Sequence, residues 1–241
     1  MRVLVLRPEP AAARTARTLS ARGHDAVLLP LSKAEHDIEA VGKALATPHA
    51  AIAVTSAEIA RLFSTIGTDV APHLSTRVFA VGQATADAMK AVGFDDVHAA
   101  GGDGAALAES IIAHVRASRA PESPILYLAG NPRASGFENR LRAGGIPFRT
   151  IESYRMVALT YPPTAVASAL LEPVPDAVLL YSPESARAFF GLAPLLEMPD
   201  RFAALRLLCM SPNVAAIVPE RFAAQAETAT TPDEASLLAL L

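Results

Sequence analysis

Small polar residues occur in this chain at points where a short apolar run passes into a helical pattern. In α/β proteins such turns follow strands, and their backbone N–H groups attract anions with help from the dipole of the next helix. We expect such turns to bind the negatively charged groups of a ligand. The turns are Thr55-Ser56, Gly82-Gln83-Ala84-Thr85, Gly101-Gly102-Asp103-Gly104, Gly130-Asn131, Ser182-Pro183-Glu184-Ser185 and Ser211-Pro212-Asn213.

Each turn also has a simpler interpretation, because Ser, Thr, Asp and Asn cap helices in any protein. Ligand binding is favoured by the position of all six at the carboxyl ends of predicted strands, where open α/β sheets bind ligands. Arg7 and Arg133 stand at equivalent turns and would add charge-assisted hydrogen bonds to carboxylates. Tyr154 follows a strand and could donate a proton without carrying charge at neutral pH, although an aromatic residue that packs at a hinge would look the same.

The histidines and the single cysteine form no recognisable catalytic or metal-binding motif. The six histidines include no HxxxH or HExxH pair, and Cys209 has no partner for a disulfide. The chain contains no GxGxxG after a strand, no GxxxxGK[ST] and no GxSxG. We therefore expect a site made of backbone and hydroxyl donors, with no metal and no cofactor.

The composition excludes several classes of protein. Hydrophobic residues make up 51% of the 241 residues and charged residues 19%, which is enough apolar material for a core. The net charge is −3 and no basic stripe occurs, so we expect no nucleic-acid partner. Pro8 ends the first apolar run, and charges or prolines interrupt the later ones. We therefore expect a soluble, cytoplasmic protein with no signal peptide and no membrane contact.

Short apolar runs alternate with amphipathic helical patterns along the chain. Runs that are apolar throughout are typical of parallel strands covered on both faces, and the alternation predicts a doubly wound α/β fold. The predicted strands are residues 3–6, 26–29, 52–55, 78–81, 97–99, 125–128, 148–154, 177–181, 207–210 and 226–228. The predicted helices are residues 11–22, 57–66, 84–92, 107–117, 136–143, 185–192, 214–218 and 232–240.

An internal near-repeat organises these elements. A strand–helix–strand unit at residues 6–31, called A, recurs at residues 128–154. Three further units, called B, C and D, each occur twice. They are IAVTSAEIARLF (52–63) with VLLYSPESARAFF (178–190), FAVGQATADAM (79–89) with LCMSPNVAAIV (208–218), and GGDGAALAESI (101–111) with TTPDEASLLAL (230–240). The order along the chain is A-B-C-D-A-B-C-D.

This order allows two arrangements. Either each A-B-C-D run forms one of two consecutive domains, or the first A packs with the last B-C-D while the central B-C-D-A forms an inserted domain. The second arrangement needs crossing connections near residues 32–40 and 158–163, and both segments are polar or contain proline, as linkers do. Spacing alone does not choose between the two.

Seven stretches, in their order along the chain, resemble the uroporphyrinogen-III synthase family and together span essentially all of it. They are LVLRPEPAAARTARTLSARGHDAVLLPL, AVTSAEIARLF, FAVGQATADAMKAVGF, AAGGDGAALAESI, ESYRM, VLLYSPESARAFF and LCMSPNVAAIV. The resemblance implies the second arrangement, with two doubly wound parallel-sheet α/β domains related by internal duplication. The implied domains are residues 1–33 plus 163–241 and residues 38–157, joined by linkers at 34–37 and 158–162.

The resemblance also implies an activity. Members of the family are lyases of porphyrin and heme biosynthesis that cyclise hydroxymethylbilane to uroporphyrinogen III. Water is lost and ring D is inverted, through an azafulvene cation and a spirocyclic intermediate. They use no cofactor and hold the substrate in a cleft between the domains. As partners we expect this substrate and at most a transient encounter with hydroxymethylbilane synthase, and we expect a monomer.

Several residues match the family's functional positions. The active-site tyrosine matches Tyr154, which is predicted to assist departure of the hydroxyl group, while Ser211-Pro212-Asn213 replaces a threonine-bearing turn. The family's strand-end and turn hydroxyls match Thr55, Ser56, Thr85 and Ser182. The predicted substrate-binding residues are Arg7, Thr55, Ser56, Gly82, Gln83, Thr85, Gly102, Gly130, Arg133, Ser182, Pro183, Ser185, Ser211 and Asn213.

Two other functions fit the same residues. A non-catalytic tetrapyrrole-binding or sensor protein would use the same fold, although the chain has no added helix-turn-helix and no basic arm of the kind found in regulators. An α/β transferase with a phosphorylated substrate would use the same helix starts, but the missing phosphate loop counts against it.

Overall fold

Strands and helices alternate along residues 1–117 and 123–241, which are the residues that the computed structural model describes. The strands are β1 (Arg2–Val5), β2 (Asp25–Leu28), β3 (Ser32–His36), β4 (Ala51–Val54), β5 (Val78–Ala80), β6 (Val97–Ala99), β7 (Ile125–Asn131), β8 (Phe148–Ala158), β9 (Ala177–Leu180), β10 (Arg206–Cys209) and β11 (Ala226–Thr228). The α-helices are α1 (Ala11–Ala21), α2 (Ile38–Leu45), α3 (Glu58–Ile66), α4 (Gln83–Val92), α5 (Gly104–Ala117), α6 (Gly136–Ala143), α7 (Pro163–Leu171), α8 (Pro183–Phe190), α9 (Ala193–Glu197), α10 (Pro212–Ala215) and α11 (Glu234–Leu238). Short 3₁₀ segments lie at Gly67–His73, Pro199–Phe202 and Glu220–Gln225.

The chain divides into two units. One consists of Met1–Lys33 together with Val157–Leu241, and the other of Ala34–Met156. The first unit, called the discontinuous unit below, is therefore built from both ends of the chain. The second, called the inserted unit, is continuous in sequence. The chain passes between the units within β3 and within β8, which are neighbours in one sheet.

The sheet of the discontinuous unit has the strand order β11-β10-β9-β1-β2, and its strand pairs are parallel. Its strand β1 carries Val3, Leu4 and Val5, all fully buried. Leu4 packs into one apolar cluster, and Val3 and Val5 pack into another. Because successive side chains of a strand point to opposite faces, this sheet is covered on both sides, as its apolar runs predict.

The second sheet has the order β3-β8-β7-β4-β5-β6. The pairs that β7 makes with β4 and β8 are parallel, and so are those that β5 makes with β4 and β6. β4 is buried along its whole length, with Ile52 and Val54 in one apolar cluster and Ala51 and Ala53 in another. This sheet, too, has a core on each face.

The two sheets repeat one order of units. In each sheet, the strand that leads into unit D comes first, followed by the strands of C, B and A. This order is β11, β10, β9, β1 and β2 in the first sheet, and β6, β5, β4, β7 and β8 in the second. β1 pairs with β9, so the first A unit packs with the last B-C-D group. This is the second of the two arrangements that the spacing left open, and it confirms the predicted fold class. The exact domain boundaries stay a prediction.

The sequence pattern does not predict β3, α2, α7 or α9. β3 falls in the polar segment interpreted as a linker near residues 32–40. Exposed and half-buried residues alternate along it, because it lies at the sheet edge and needs no continuous apolar run. β8 likewise continues to Ala158, where the second linker is predicted to begin.

Candidate functional site

The predicted turns of the inserted unit lie at one edge of its sheet. Since its strands from β4 to β8 are parallel, their carboxyl ends meet at the same edge. The predicted residues at this edge are Thr55 and Ser56 after β4, Gly82, Gln83 and Thr85 after β5, Gly102 after β6, Gly130 in β7, Arg133 after β7, and Tyr154 in β8.

The predicted turns of the discontinuous unit also share the carboxyl edge of their own parallel sheet. The residues there are Arg7 after β1, Ser182, Pro183 and Ser185 after β9, and Ser211 and Asn213 after β10. Within each unit, the structure thus brings the predicted residues to one end of the sheet. The predicted residues differ in the hydrogen bonds and ion pairs that their polar groups already make.

Tyr154 lies at an irregularity in β8. Ala129 pairs with Glu152. The next residue, Gly130, pairs with Tyr154, so Ser153 is the extra residue of a β-bulge. The ring of Tyr154 lies over Gly130, and a Cβ atom added to residue 130 would stand 2.3 Å from the Cζ atom of the ring. A glycine at this position leaves the space that the ring occupies.

The phenol of Tyr154 keeps its proton at neutral pH. Burial raises its pKa above the ordinary value of 10.0 and the Glu58 carboxylate raises it further, while a hydrogen bond with Ser56 and the charge of Arg61 oppose the shift. A neutral phenol is a hydrogen-bond donor and can pass a proton to a departing oxygen. The position of Ser56 beside it connects two of the predicted site residues.

A histidine that the sequence analysis did not single out lies beside Tyr154. The ring of His36 meets that of Tyr154 edge to face, with 6.5 Å between the ring centroids. His36 Nε2 lies 2.8 Å from Glu58 Oε1, and the second Glu58 oxygen accepts from Arg61. The contact joins β3 to α3. The sequence analysis missed this contact because His36 lies in a segment interpreted as a linker. The carboxylate of Glu58, two residues after Ser56, was the only feature near a predicted turn that could have indicated it.

His36 and Tyr154 line a cavity of about 490 Å³, and four of its eight lining residues are acidic. Glu152 accepts a hydrogen bond of 2.8 Å from Arg155, and this contact is the main cause that lowers its pKa. Glu152 is therefore ionised at neutral pH. The full lining is Glu35, His36, Asp37, Ile38, Glu39, Glu152, Tyr154 and Arg155. Arg155 pairs with Glu152 and Lys43 pairs with Glu39, so the negative charge of this lining is partly compensated.

Arg133, predicted to bind substrate, is paired with a carboxylate of its own unit. Its Nε atom lies 3.3 Å from Glu138 Oε1. Glu138 is only 9% exposed and also accepts a hydrogen bond of 2.8 Å from Thr150. Arg142 lies 3.7 Å from the other Glu138 oxygen, so this carboxylate is shared by two arginines and is held in place by them.

Arg7, the equivalent residue of the first A unit, is also paired. Its Nη1 atom lies 3.0 Å from Glu234 Oε1, and its guanidinium stacks 4.1 Å from the ring centroid of Tyr181. Glu234 lies in the last helix of the chain, so nothing in the local sequence around Arg7 predicts this contact. Arg7 and Arg133 are thus each already paired with a carboxylate of their own unit, and their roles in binding substrate stay predictions.

The helix starts differ in the donors that they leave for a ligand. Ser182 and Ser185 cap each other: each hydroxyl accepts the other residue's N–H group at 3.1 Å. Ser56 Oγ accepts the Glu58 N–H group at 3.1 Å. Ala57 is the N-cap of α3 and no side chain caps that helix, so helix capping describes only the Ser182 and Ser185 hydroxyls. They can still serve a ligand through their remaining donor and acceptor capacity.

Like α3, helix α4 begins without a side-chain cap. Gly82 supplies no side-chain cap to this helix of ten residues, so its first N–H groups and its dipole remain available. Gln83 is exposed, whereas Thr85 is only 7% exposed. By contrast, Gly102 donates its N–H group to the Val81 carbonyl at 3.2 Å. The helix that follows Ser211 has only four residues.

Among residues 1–117 and 123–241, no helix has the length and apolar character needed to cross a bilayer. The same residues contain no group of three or more His, Cys, Asp or Glu side chains placed to hold a metal ion.

A model of the protein family described as uroporphyrinogen-III synthase HemD matches residues 13–239. The chain belongs to the uroporphyrinogen-III synthase family. The predicted family and the predicted enzyme class, a lyase, are thereby confirmed. No curated protein sequence matches the chain significantly.

Solved structures of two uroporphyrinogen-III synthases show the same fold. The crystal structure of the synthetase from Helicobacter pylori is 17% identical, with a TM-score of 0.67, and the alignment covers 100% of this chain and 98% of that one. A mutant synthase from the extremely thermophilic bacterium Thermus thermophilus is 18% identical, with a TM-score of 0.55, and the alignment covers 99% and 96%. At these identities the two structures support the two-sheet architecture and nothing finer.

Proposed function

We propose that this protein cyclises hydroxymethylbilane to uroporphyrinogen III, with loss of water and inversion of ring D. The observation that carries the proposal is the family match over residues 13–239. We further propose that the chemistry takes place beside Tyr154. This placement is supported by the cavity of about 490 Å³ that Tyr154 lines.

In this proposal Tyr154 assists the departure of the substrate's hydroxyl group. The phenol gives its proton to the hydroxyl oxygen, the carbon–oxygen bond breaks, and water leaves with both bonding electrons. A cation delocalised over the terminal pyrrole remains. Ring closure releases a proton, which restores the phenol, so that the net change is loss of one water. A positioned acid of this kind contributes roughly 10²–10⁴-fold to a rate.

The acidic walls of the cavity have a role in the same step. Glu152 lies two residues before Tyr154 and lines the cavity with it, and its pKa is lowered by the hydrogen bond from Arg155. A fixed carboxylate near a carbon that becomes positive stabilises the transition state more than the neutral ground state. We therefore propose that the Glu152 carboxylate, although it is paired with Arg155, favours the cationic intermediate.

The carboxylates of the substrate need donors elsewhere on the sheet edges. Among the predicted turns we propose the start of α4, where Gly82 supplies no side-chain cap, as one anion site. One contact at a helix start contributes roughly 0.3–1 kcal/mol. Several such contacts would orient a flexible tetrapyrrole so that one ring closure is favoured over the other.

The proposal is tested by the isomer of the product. Purified protein is supplied with freshly made hydroxymethylbilane, and the oxidised porphyrins are separated by chromatography. We expect mainly the type III isomer, whereas buffer and heat-denatured protein give the type I isomer that forms spontaneously. Type I product alone would remove the proposed function. Tight tetrapyrrole binding without any change of isomer would instead favour the non-catalytic binding protein.

We also propose that the protein acts as a monomer in the cytoplasm and meets hydroxymethylbilane synthase at most transiently. The predicted domains, residues 1–33 plus 163–241 and residues 38–157 with linkers 34–37 and 158–162, belong to the same proposal. Light scattering at several protein concentrations, with and without the synthase, tests the oligomeric state and the encounter.

A further inference from the structure

Three side chains of the discontinuous unit converge on one carboxylate oxygen. Glu234 Oε1 lies 3.0 Å from Arg7 Nη1 and accepts a hydrogen bond of 2.8 Å from the Tyr181 hydroxyl. It also accepts from the Thr15 hydroxyl. The donors contact one another as well, since Arg7 lies 3.3 Å from Thr15 Oγ1 and stacks on the Tyr181 ring. One cation and two hydroxyls arranged in this way make a receptor for a carboxylate.

The receptor and its occupant differ in how firmly they are held. Thr15 is fully buried in α1, and Arg7 is fixed between Thr15 and the Tyr181 ring. The side chain of Glu234 is 39% exposed and comes from α11, which has only five residues. α11 is capped by Asp233, whose carboxylate accepts the Ser236 N–H group at 2.8 Å. The Glu234 side chain can therefore leave without removing the cap of its helix.

The equivalent arginine of the inserted unit provides a contrast. Arg133 pairs with Glu138, five residues further along the chain, and Glu138 is 9% exposed with a further hydrogen bond from Thr150. That carboxylate is part of the packing. Glu234 is neither close in sequence to Arg7 nor buried, and it approaches the receptor from the solvent side.

The electrostatics are those of a site that takes an ionised carboxylate. Burial by itself raises the pKa of Glu234, but the hydrogen bonds from Thr15 and Tyr181 and the charge of Arg7 outweigh it and lower the pKa. Burial is also the main cause that raises the pKa of Tyr181 to about 12, so that its hydroxyl stays a donor.

The position of the cluster connects it with the substrate. Tyr181 directly follows β9, and Arg7 stands two residues after Val5, the last residue of β1, so the cluster lies at the carboxyl edge of its sheet. We propose that Arg7, Thr15 and Tyr181 form a subsite for an acetate or propionate carboxylate of the substrate, and that Glu234 occupies this subsite until the substrate displaces it. This inference rests on the proposed function for the identity of the ligand.

Displacement exchanges one carboxylate for another. Arg7, Thr15 and Tyr181 keep their hydrogen bonds, while Glu234 turns towards water, where it is already partly exposed. Substrate can bind only when Glu234 has left the subsite. The apparent Kd is therefore the intrinsic Kd divided by the fraction of protein in which the subsite is empty. Removing Glu234 should therefore tighten binding, whereas removing a carboxylate that merely orients Arg7 should weaken binding.

The experiment compares Glu234→Ala with Glu227→Ala. Glu227 is a matched control because it is also paired with an arginine, Arg206, at 2.8 Å in the same unit and is 40% exposed. Its removal changes the net charge equally. We expect KM for hydroxymethylbilane and Kd for uroporphyrin III to fall roughly 3- to 10-fold in Glu234→Ala. In Glu227→Ala both should stay within about twofold of the wild-type values.

Further variants separate displacement from structural support. Arg7→Ala should raise KM, and adding Glu234→Ala to it should change nothing more, because the receptor is gone. Glu234→Gln keeps the shape of the side chain and serves if the alanine variant does not fold. A wild-type or higher KM in both Glu234 variants would overturn the subsite, and so would an equal fall in Glu227→Ala. A wild-type protein that makes no type III product would remove the proposed function instead, and the uroporphyrin III titration would still decide the subsite.

Discussion

The Tyr154 ring lies against the backbone of Gly130, with the position of a Cβ on residue 130 only 2.5 Å from the Tyr154 hydroxyl oxygen. The two residues are direct partners across β7 and β8, next to the β-bulge at Ser153. The phenol that we propose as the catalytic acid and the glycine on the neighbouring strand thus form one structural feature. This feature makes the placement of Tyr154 testable without changing Tyr154 itself.

Gly130→Ala should displace the Tyr154 ring and lower the rate of type III formation to that of a Tyr154 variant. The new methyl group would overlap the ring, and overpacking of this kind costs about 1–3 kcal/mol of stability. Activity and the thermal unfolding midpoint are measured together. The matched control is Gly42→Ala in α2, because a Cβ there meets nothing within 4 Å. Full activity in folded Gly130→Ala would show that the ring position does not matter.

Tyr154→Phe should lower kcat by no more than roughly 10²–10⁴-fold, because it removes one positioned acid and leaves the ring over Gly130 in place. The comparison is Tyr161→Phe, which removes a phenol that donates a hydrogen bond of 2.8 Å to the Pro30 carbonyl in the discontinuous unit. Single-turnover kinetics for both variants give the size of the effect. An unchanged kcat in Tyr154→Phe would leave this tyrosine as a packing residue.

Acid should destabilise the folded protein progressively from about pH 5 downward. The pKa of Glu227 is lowered by its hydrogen bonds from Arg206, and the pKa of Glu234 is lowered as well. With folded pKa values below the ordinary 4.5, the unfolded chain binds more protons than the native protein in this range, so stability is present above it and is lost as the pH falls.

The measurement is the midpoint of urea unfolding, followed by circular dichroism between about pH 7 and pH 3. Glu227→Gln should be less stable than the wild type at neutral pH, because its contact with Arg206 is weakened. The difference should shrink as the pH falls, since the wild-type carboxylate then loses its charge. A constant difference over the whole range would show that the Glu227 carboxylate does not contribute through its charge.

Cys209 should resist thiol reagents in the native protein. It is fully buried at the end of β10, and burial raises the pKa of its thiol to about 11. The thiolate is the reactive form, so both access and ionisation are suppressed. Since it is the single cysteine of the chain, its reaction with Ellman's reagent reports opening of the discontinuous unit. Fast labelling without denaturant would contradict the burial of β10.

The sequence by itself determined the alternation of strands and helices, the internal duplication and the edge at which the polar turns fall. These follow from the apolar periodicity and from capping residues, which act over a few neighbours in the chain. Most predicted strands lie within one or two residues of the observed ones, as β4 and β10 illustrate. The edge strand β3 was missed because its polar residues carry no such signal.

The tertiary structure decided which distant groups meet. It pairs β1 with β9 rather than with β4, gives Arg7 the carboxylate of Glu234, and lays Tyr154 over Gly130. These contacts join residues far apart in sequence, and their energies depend on packing, burial and charge in three dimensions. Local periodicity contains none of that information. The sequence therefore predicts the positions of the turns, but it does not predict which partner each side chain contacts.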